Sequence, residues 1–174
     1  MTNRMRLGLD RLMWVASRGG MAVLAPLLVL SAAHAQTSVV PAGAGTAVSP
    51  YQISQLGHLV WMGDNVGSST GQYYTLQNDI DASGTTNWNS GAGFAPIGND
   101  GTNFMGVFNG NGKVIRRLTV NRPSQNYVGL FGHVGSSGVV ANLGLPGCTV
   151  TGAAHVGGLV GMSHARCHCA TSPL

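Results

Sequence analysis

The sequence predicts an all-β protein built as a solenoid, a stack of short coils. The phrase Val128-Gly129-Leu130-Phe131-Gly132 returns as Val156-Gly157-Gly158-Leu159-Val160-Gly161, and the Leu-Phe-Gly and Leu-Val-Gly ends lie 29 residues apart. Upstream, Val114-Ile115-Arg116-Arg117-Leu118-Thr119-Val120 can be laid over Val139-Val140-Ala141-Asn142-Leu143-Gly144-Leu145 at an offset of 25 residues. The apolar anchors then match step for step: Ile115, Leu118 and Val120 against Val140, Leu143 and Leu145. A unit of about 25 to 30 residues is the period of a stacked coil. Composition agrees. The 27 glycines among 174 residues are about twice the usual share. Only 8% of residues are charged and Glu is absent, so the outer wall must be built from Ser, Thr, Asn, Gln and Gly, which suits turn-rich β structure. Aromatic residues make up 6%, so the core is expected to rest on Val, Leu and Ile in thin layers rather than on large rings.

Residues 1–35 read as a signal peptide. An n-region carrying Arg4, Arg6, Arg11 and Arg18 is followed by the apolar run from Met21 to Leu30 and by small residues ending at Ala33-His34-Ala35, with cleavage expected before Gln36. The run is too short, and is broken by Pro26, to serve as a transmembrane anchor of about 20 apolar residues. No later stretch is apolar enough to span a membrane as a helix. The net charge of +4 is largely a property of this leader. Without it, Lys113, Arg116, Arg117, Arg122 and Arg166 face Asp64, Asp79, Asp81 and Asp100, which removes the case for a nucleic-acid partner.

Residues 36–50, with Pro41, Gly43, Gly45 and Pro50, read as a linker. The coils are expected over 51–161. Leu56, Leu59 and Val60 recur at helical spacing behind Ser54, a candidate N-cap, and before Gly63, a candidate stop. Residues 54–62 are therefore expected to form a short helix that lies over the first coil and hides its unpaired backbone groups. Tyr74, Leu76 and Ile80 share one parity and Gln77, Asp79 and Asp81 the other, the alternation of a half-buried strand. Phe104 and Phe108 precede Asn109-Gly110-Asn111-Gly112, two Asn-Gly pairs that favour positive φ and a sharp corner. In the repeat region, residues at equal positions of successive coils stack about 4.8 Å apart, so apolar must meet apolar. On the 25-residue offset, Val140 is expected over Ile115 and Leu145 over Val120. The glycines flanking the Leu-Phe and Leu-Val pairs leave room for tight bends. Asn121 and Asn142 fall at inequivalent positions, so no asparagine ladder is expected between them. Residues 162–174 carry no apolar period and read as an irregular tail, like the end of a truncated or frame-shifted product.

From Tyr51 to Gly161 the ordered set of phrases resembles the GLUG-motif repeat region of filamentous haemagglutinin-type surface adhesins. The set comprises Tyr74-Thr75-Leu76-Gln77-Asn78-Asp79-Ile80-Asp81, Pro96-Ile97-Gly98, Phe104 to Gly112, and the two copies that include Gly129 to Gly132. The resemblance implies a right-handed parallel β-helix. It also implies an exported, non-catalytic surface at the cell exterior that attaches to glycans or to host or neighbouring-cell proteins. The chain carries no recognisable two-partner secretion domain and no translocator barrel, so the periplasm is an alternative destination. Another class to weigh is a β-helical polysaccharide lyase or hydrolase, which needs acids and bases converging on one groove; a non-functional remnant of an adhesin gene is the third reading.

No catalytic, cofactor-binding or metal residue is assigned, but several groups have two readings. Asp79 and Asp81 could hold Ca²⁺ or act as an acid and base pair, or could end the strand and cap the Ser83-Gly84 turn. Trp88 and Phe94 could be packing residues or a stacking platform for sugar. Lys113, Arg116, Arg117 and Arg122 form a basic cluster that is either a solvated face or a site for acidic polysaccharide. Cys167-His168-Cys169 with His164 lacks the Cys-x-x-Cys spacing of a zinc site. Cys148 could pair with Cys167 or Cys169 after export, and the open edge of the last coil could pair with another chain.

Overall fold

The computed structural model describes residues 36–164. Residues 1–35, expected to be a leader, and the Cys167-His168-Cys169 phrase lie outside the described residues. The chain is mostly strand, with one α-helix, and forms a β-solenoid of about three turns. Its strands are β1 (Tyr51–Ile53), β2 (Tyr73–Leu76), β3 (Ile80–Asp81), β4 (Val107–Arg116), β5 (Thr119–Asn121), β6 (Phe131–Val134), β7 (Val139–Gly144), β8 (Thr149–Thr151) and β9 (Val160–Ser163).

Each wall of the stack is a column of strands in parallel register. In one, Tyr51 pairs with Tyr74, Tyr74 with Phe108 and Phe108 with Val140, so β1, β2, β4 and β7 lie in line. In a second, Ile80 of β3 pairs with Ile115 at the far end of β4. In a third, Val120 of β5 pairs with Val150 of β8. In a fourth, Ile97 bridges to Phe131, and Phe131 of β6 pairs with Val160 of β9. The Leu-Phe-Gly and Leu-Val-Gly ends therefore stack at the 29-residue offset expected of them.

The 25-residue offset does not hold, and the reason is geometric. Val140 lies beside Phe108, 32 residues earlier, and Val150, not Leu145, lies beside Val120. Ile115 and Val140 both face the core but sit next to different corners of the coil. Arg117 has φ 57° and Asn142 has φ 57°, so each apolar-x-turn-apolar phrase rounds a corner in the left-handed region. The corner at Arg117 is met in the next coil by Gly147, also at positive φ, with the Arg117 N–H donating to the Pro146 carbonyl at 3.0 Å. The corner at Asn142 is met one coil earlier by Asn111. There Gly110, Asn111 and Gly112 together turn what Asn142 turns alone, because Asn109 pairs with Ala141 and Lys113 with Leu143. The positive φ expected of the Asn-Gly pairs is found at Asn111 and Gly112 only. One asparagine rung does form, Asn142 Nδ2 donating to Asn109 Oδ1 at 3.1 Å.

The core also departs from the expectation of thin aliphatic layers. All four phenylalanines, Phe94, Phe104, Phe108 and Phe131, are fully buried. Rings run from coil to coil along the axis: Tyr51 to Tyr74 at 5.4 Å, Tyr74 to Phe104 at 5.7 Å, Phe104 to Phe131 at 4.9 Å and Phe131 to Phe108 at 5.4 Å. Composition counts rings but not where they go, and here every phenylalanine and Tyr74 are directed inward. Around them pack Ile53, Leu76, Ile97, Ile115, Leu118, Val120, Leu130 and Val140.

The helix α1 spans Leu56–Asp64 and buries Leu59, Val60 and Met62. Ser54 does not cap it through its side chain. The N-cap is Gln55, and the Ser54 N–H donates to Nδ1 of His58 at 3.1 Å. Gly63 does not stop it either: Asn65 closes the helix by donating its backbone N–H and Nδ2 to the Trp61 carbonyl. Residues 36–50, read as a linker, lie against the fold: Val39 donates to the Gly57 carbonyl, and Gln36 Oε1 accepts from the Ala95 N–H at 2.9 Å. At the other end, β9 carries regular pairing past residue 161 to Ser163. Within the repeat, the glycines serve close approach more than turn conformation. A Cβ on Gly132 would lie 2.3 Å from the Gly98 carbonyl oxygen, and one on Gly129 2.5 Å from that of Gly157.

Candidate functional site

The wall formed by β3 and the end of β4 carries the largest gathering of charge among the described residues. Alternation decides which groups face out: Ile80 and Ile115 pair in the core, so Asp79, Asp81 and Arg116 are left on the outer face. The corner at Arg117 turns a second guanidinium onto that face. Asp81 and Arg116 are register partners, yet the ion pairs are diagonal, Asp79 with Arg116 and Asp81 with Arg117. The Arg117 Nη2 to Asp81 Oδ2 distance is 2.5 Å. All four side chains are roughly half exposed.

Both carboxylates are also held by the backbone. Asp81 Oδ1 accepts from the Ser83 N–H at 3.0 Å, the turn-capping role expected of it, and Asp79 Oδ1 accepts from the Val114 N–H at 3.1 Å. The Ser83 N–H, then the Arg117 guanidinium, pull the Asp81 carboxyl down to about 2. The Val114 N–H, then Arg116, lower that of Asp79. Each is bound in its charged form, which leaves it a poor proton donor near neutrality.

Beside these pairs lies a shallow depression of about 450 Å³ lined by Arg116, Arg117, Pro146 and Gly147. Of the sequence-predicted basic cluster, Arg116 and Arg117 meet there, with Lys113 close enough to lower the Asp79 carboxyl further. Arg122 is turned away, donating Nε to the Phe94 carbonyl at 3.2 Å and Nη1 to Gln125 Oε1 at 3.3 Å. Opposite charges are interleaved on this wall, so it is not a uniformly basic face. Trp88 is half-buried and packs against Phe94 at 6.4 Å, the packing role rather than that of an open platform. Cys148 is half-buried and has no disulfide partner among the described residues; Cys167 and Cys169, its candidate partners, lie outside them.

A second cluster was missed by reading the sequence: the rings of His155, Tyr127, His133 and His164 form a column, and His133 is buried within it. Its signal was present, because the offset that aligns Val128-Gly129 with Val156-Gly157 also places Tyr127 beside His155. Among the described residues, no group of three or more His, Cys, Asp or Glu is arranged to hold a metal ion. Nor is any described helix long and apolar enough to cross a membrane.

No family model matches the chain, and no solved structure matches it. Among known proteins, the chain is similar to halomucin of Haloquadratum walsbyi, 44% identical over 124 residues, which is 70% of this chain and 1% of halomucin. It is also similar to a protein of Evansella cellulosilytica named "Putative Gly-rich membrane protein", 41% identical over 139 residues, 77% of this chain and 16% of that one. The chain thus corresponds to a small part of each of these longer relatives.

Proposed function

We propose that this chain is a β-solenoid module of an exported surface protein of the GLUG-repeat, filamentous haemagglutinin-like kind, and that it presents a wall for attachment rather than catalysing a reaction. In this reading the parallel coils wind right-handed, α1 covers the backbone groups of the first coil, and residues 1–35 are the leader that carries the chain out. The observation that carries the proposal is the coil stack itself, with apolar ladders inside and a polar wall outside, in a segment resembling short portions of much longer proteins. A halomucin and a protein with "membrane" in its name are consistent with a place at the cell surface.

The attachment surface in this proposal is the Arg116–Arg117 depression, and its ligand class is acidic polysaccharide. A guanidinium can exchange an intramolecular carboxylate for a ligand carboxylate or sulfate without leaving its place, since both offer the same paired oxygens.

One observation favours a competitor: Asp79, Asp81 and Arg116 meet on one exposed wall, as a lyase or hydrolase site would require. Against it, carboxyls lowered by backbone N–H groups and guanidinium are weak bases and poor acids at neutral pH. The test is an array of acidic and neutral polysaccharides probed with the mature chain. The expected result is salt-sensitive binding to acidic members, lost in the Arg116→Gln/Arg117→Gln double variant. Release of new reducing or unsaturated ends would establish the enzyme reading instead. Failure to bind any polysaccharide or intact cell surface would overturn attachment.

A further inference from the structure

We infer that the column of His155, Tyr127, His133 and His164 is an acid-sensitive latch, which holds the coil containing β9 onto the coil containing β6 and loosens when the buried imidazole of His133 takes up a proton.

The rings come from two successive coils. Tyr127 stands in the turn before β6, and His155 in the turn before β9, and both take positive φ, 58° and 54°, so the same corner is repeated. Their rings stack at 4.9 Å with planes 11° apart. Tyr127 also stacks with His133 of β6 at 5.3 Å with planes 6° apart. His164, following β9, closes over His133 at 4.9 Å, and its N–H donates to the Val134 carbonyl at 3.0 Å. The two inner rings, Tyr127 and His133, thus belong to the β6 coil and the two outer ones, His155 and His164, to the β9 coil, and each ring contact joins one coil to the other or covers the buried imidazole.

His133 is the element that makes this a latch and not merely packing. Its side chain is 3% exposed, yet among the described residues neither Nδ1 nor Nε2 makes a hydrogen bond of good geometry. A neutral imidazole tolerates this position; an imidazolium would need both N–H groups solvated or paired. Among the described residues, the titratable groups that face it are Asp100, Tyr127, His155 and His164. The Asp100 carboxylate approaches to 3.9 Å, beyond hydrogen-bond range, and is 73% exposed. It also faces the Tyr127 hydroxyl, whose ionisation it opposes. Burial, and the positive charge that His164 and His155 would add, disfavour protonation more strongly than Asp100 and the Asn99 backbone favour it. A fold that keeps His133 less basic than its ordinary value of 6.5 loses stability as the pH falls through that value, because the opened state takes up the proton first.

The experiment is amide hydrogen exchange on the full chain at about pH 7.5 and about pH 5, corrected for intrinsic rates, with the buffers bracketing the histidine range. The reporters are the amides bonded between the two coils, Phe131 to Leu159, Gly157 to Val128 and His164 to Val134. Below 6.5, and until the folded-state value is reached, protection should fall by about tenfold per pH unit at these amides. Amides of β1 and β2 should lose less. His133→Leu should keep protection at both pH values. Should that variant fail to fold, the wild-type His133 ring resonance followed through the titration decides the matter: its protonation should coincide with loss of the cross-coil protection. Equal protection at the two pH values would overturn the latch. So would loss that begins instead at α1, around the other buried imidazole of His58, or acid loss retained in folded His133→Leu.

Discussion

Replacing Phe131 by alanine tests the ring stack that runs along the solenoid axis. Phe131 is fully buried, touches Phe104 at 4.9 Å and Phe108 at 5.4 Å, and is flanked in register by Ile97 on one side and Val160 on the other. Truncating a buried phenylalanine costs about 3 to 5 kcal/mol through lost transfer energy and the cavity left behind. The site cannot collapse easily, since Gly132 is pressed against two carbonyls and fixes the backbone beside it. The two ring pairs, about 0.5 to 1.5 kcal/mol each, place the expected loss near the middle of that range, about 4 kcal/mol. With a urea m-value of about 2 kcal/mol/M, the midpoint should fall by about 2 M at unchanged slope. Against a total stability of about 5 to 15 kcal/mol, the variant could be largely unfolded before urea is added. Val139→Ala, at a position 37% exposed, is the matched control and should cost under about 1.5 kcal/mol. A Phe131→Ala loss no larger than that of Val139→Ala would refute the idea that rings, rather than aliphatic ladders alone, hold the coils together.

Further outcomes follow from single contacts. Gly132→Ala places a Cβ within 2.5 Å of the Gly98 and Tyr127 carbonyl oxygens and should cost about 1 to 3 kcal/mol in the same melt, whereas Gly84→Ala, with nothing within 4 Å, should be close to neutral. Leu143→Asp buries an unpaired carboxylate at a position 5% exposed and should abolish cooperative unfolding, while Asp79→Asn, on the exposed wall, should change the midpoint little. The Asp81 carboxyl is lowered from 3.8 to about 2, so its contribution is fully present above 3.8 and is lost as the pH falls through about 2. Asp81→Asn should accordingly flatten the fall of the urea midpoint across that window. A decline as steep as in the unsubstituted chain would place the acid sensitivity elsewhere.

Local chemistry was legible from the residues alone. Alternation around Tyr74, Leu76 and Ile80 identified the inward face, and with it the outward placing of Asp79 and Asp81, because side chains of a strand can only alternate. The Leu-Phe-Gly and Leu-Val-Gly phrases identified the coil repeat at its true spacing, because backbone packed against backbone at Gly129, Gly132, Gly157 and Gly161 admits no other residue. Helical spacing located α1, although its ends are set by Gln55 and Asn65 and not by Ser54 and Gly63.

What the tertiary structure alone decided is which residues of different coils meet. Arg117 and Asn142 each set a left-handed residue shortly before an inward leucine, so the two phrases looked equivalent in sequence, but in space they turn different corners of successive coils. The coils also differ in length, with Gly110-Asn111-Gly112 opposite Asn142, so no constant offset exists for the sequence to display. The diagonal pairing of Asp79 with Arg116 and Asp81 with Arg117, and the burial of His133 beneath Tyr127 and His164, depend on that variable register. A chain's local pattern determines which way each side chain points, but its neighbour across the coil is determined by how many residues the intervening corners consume.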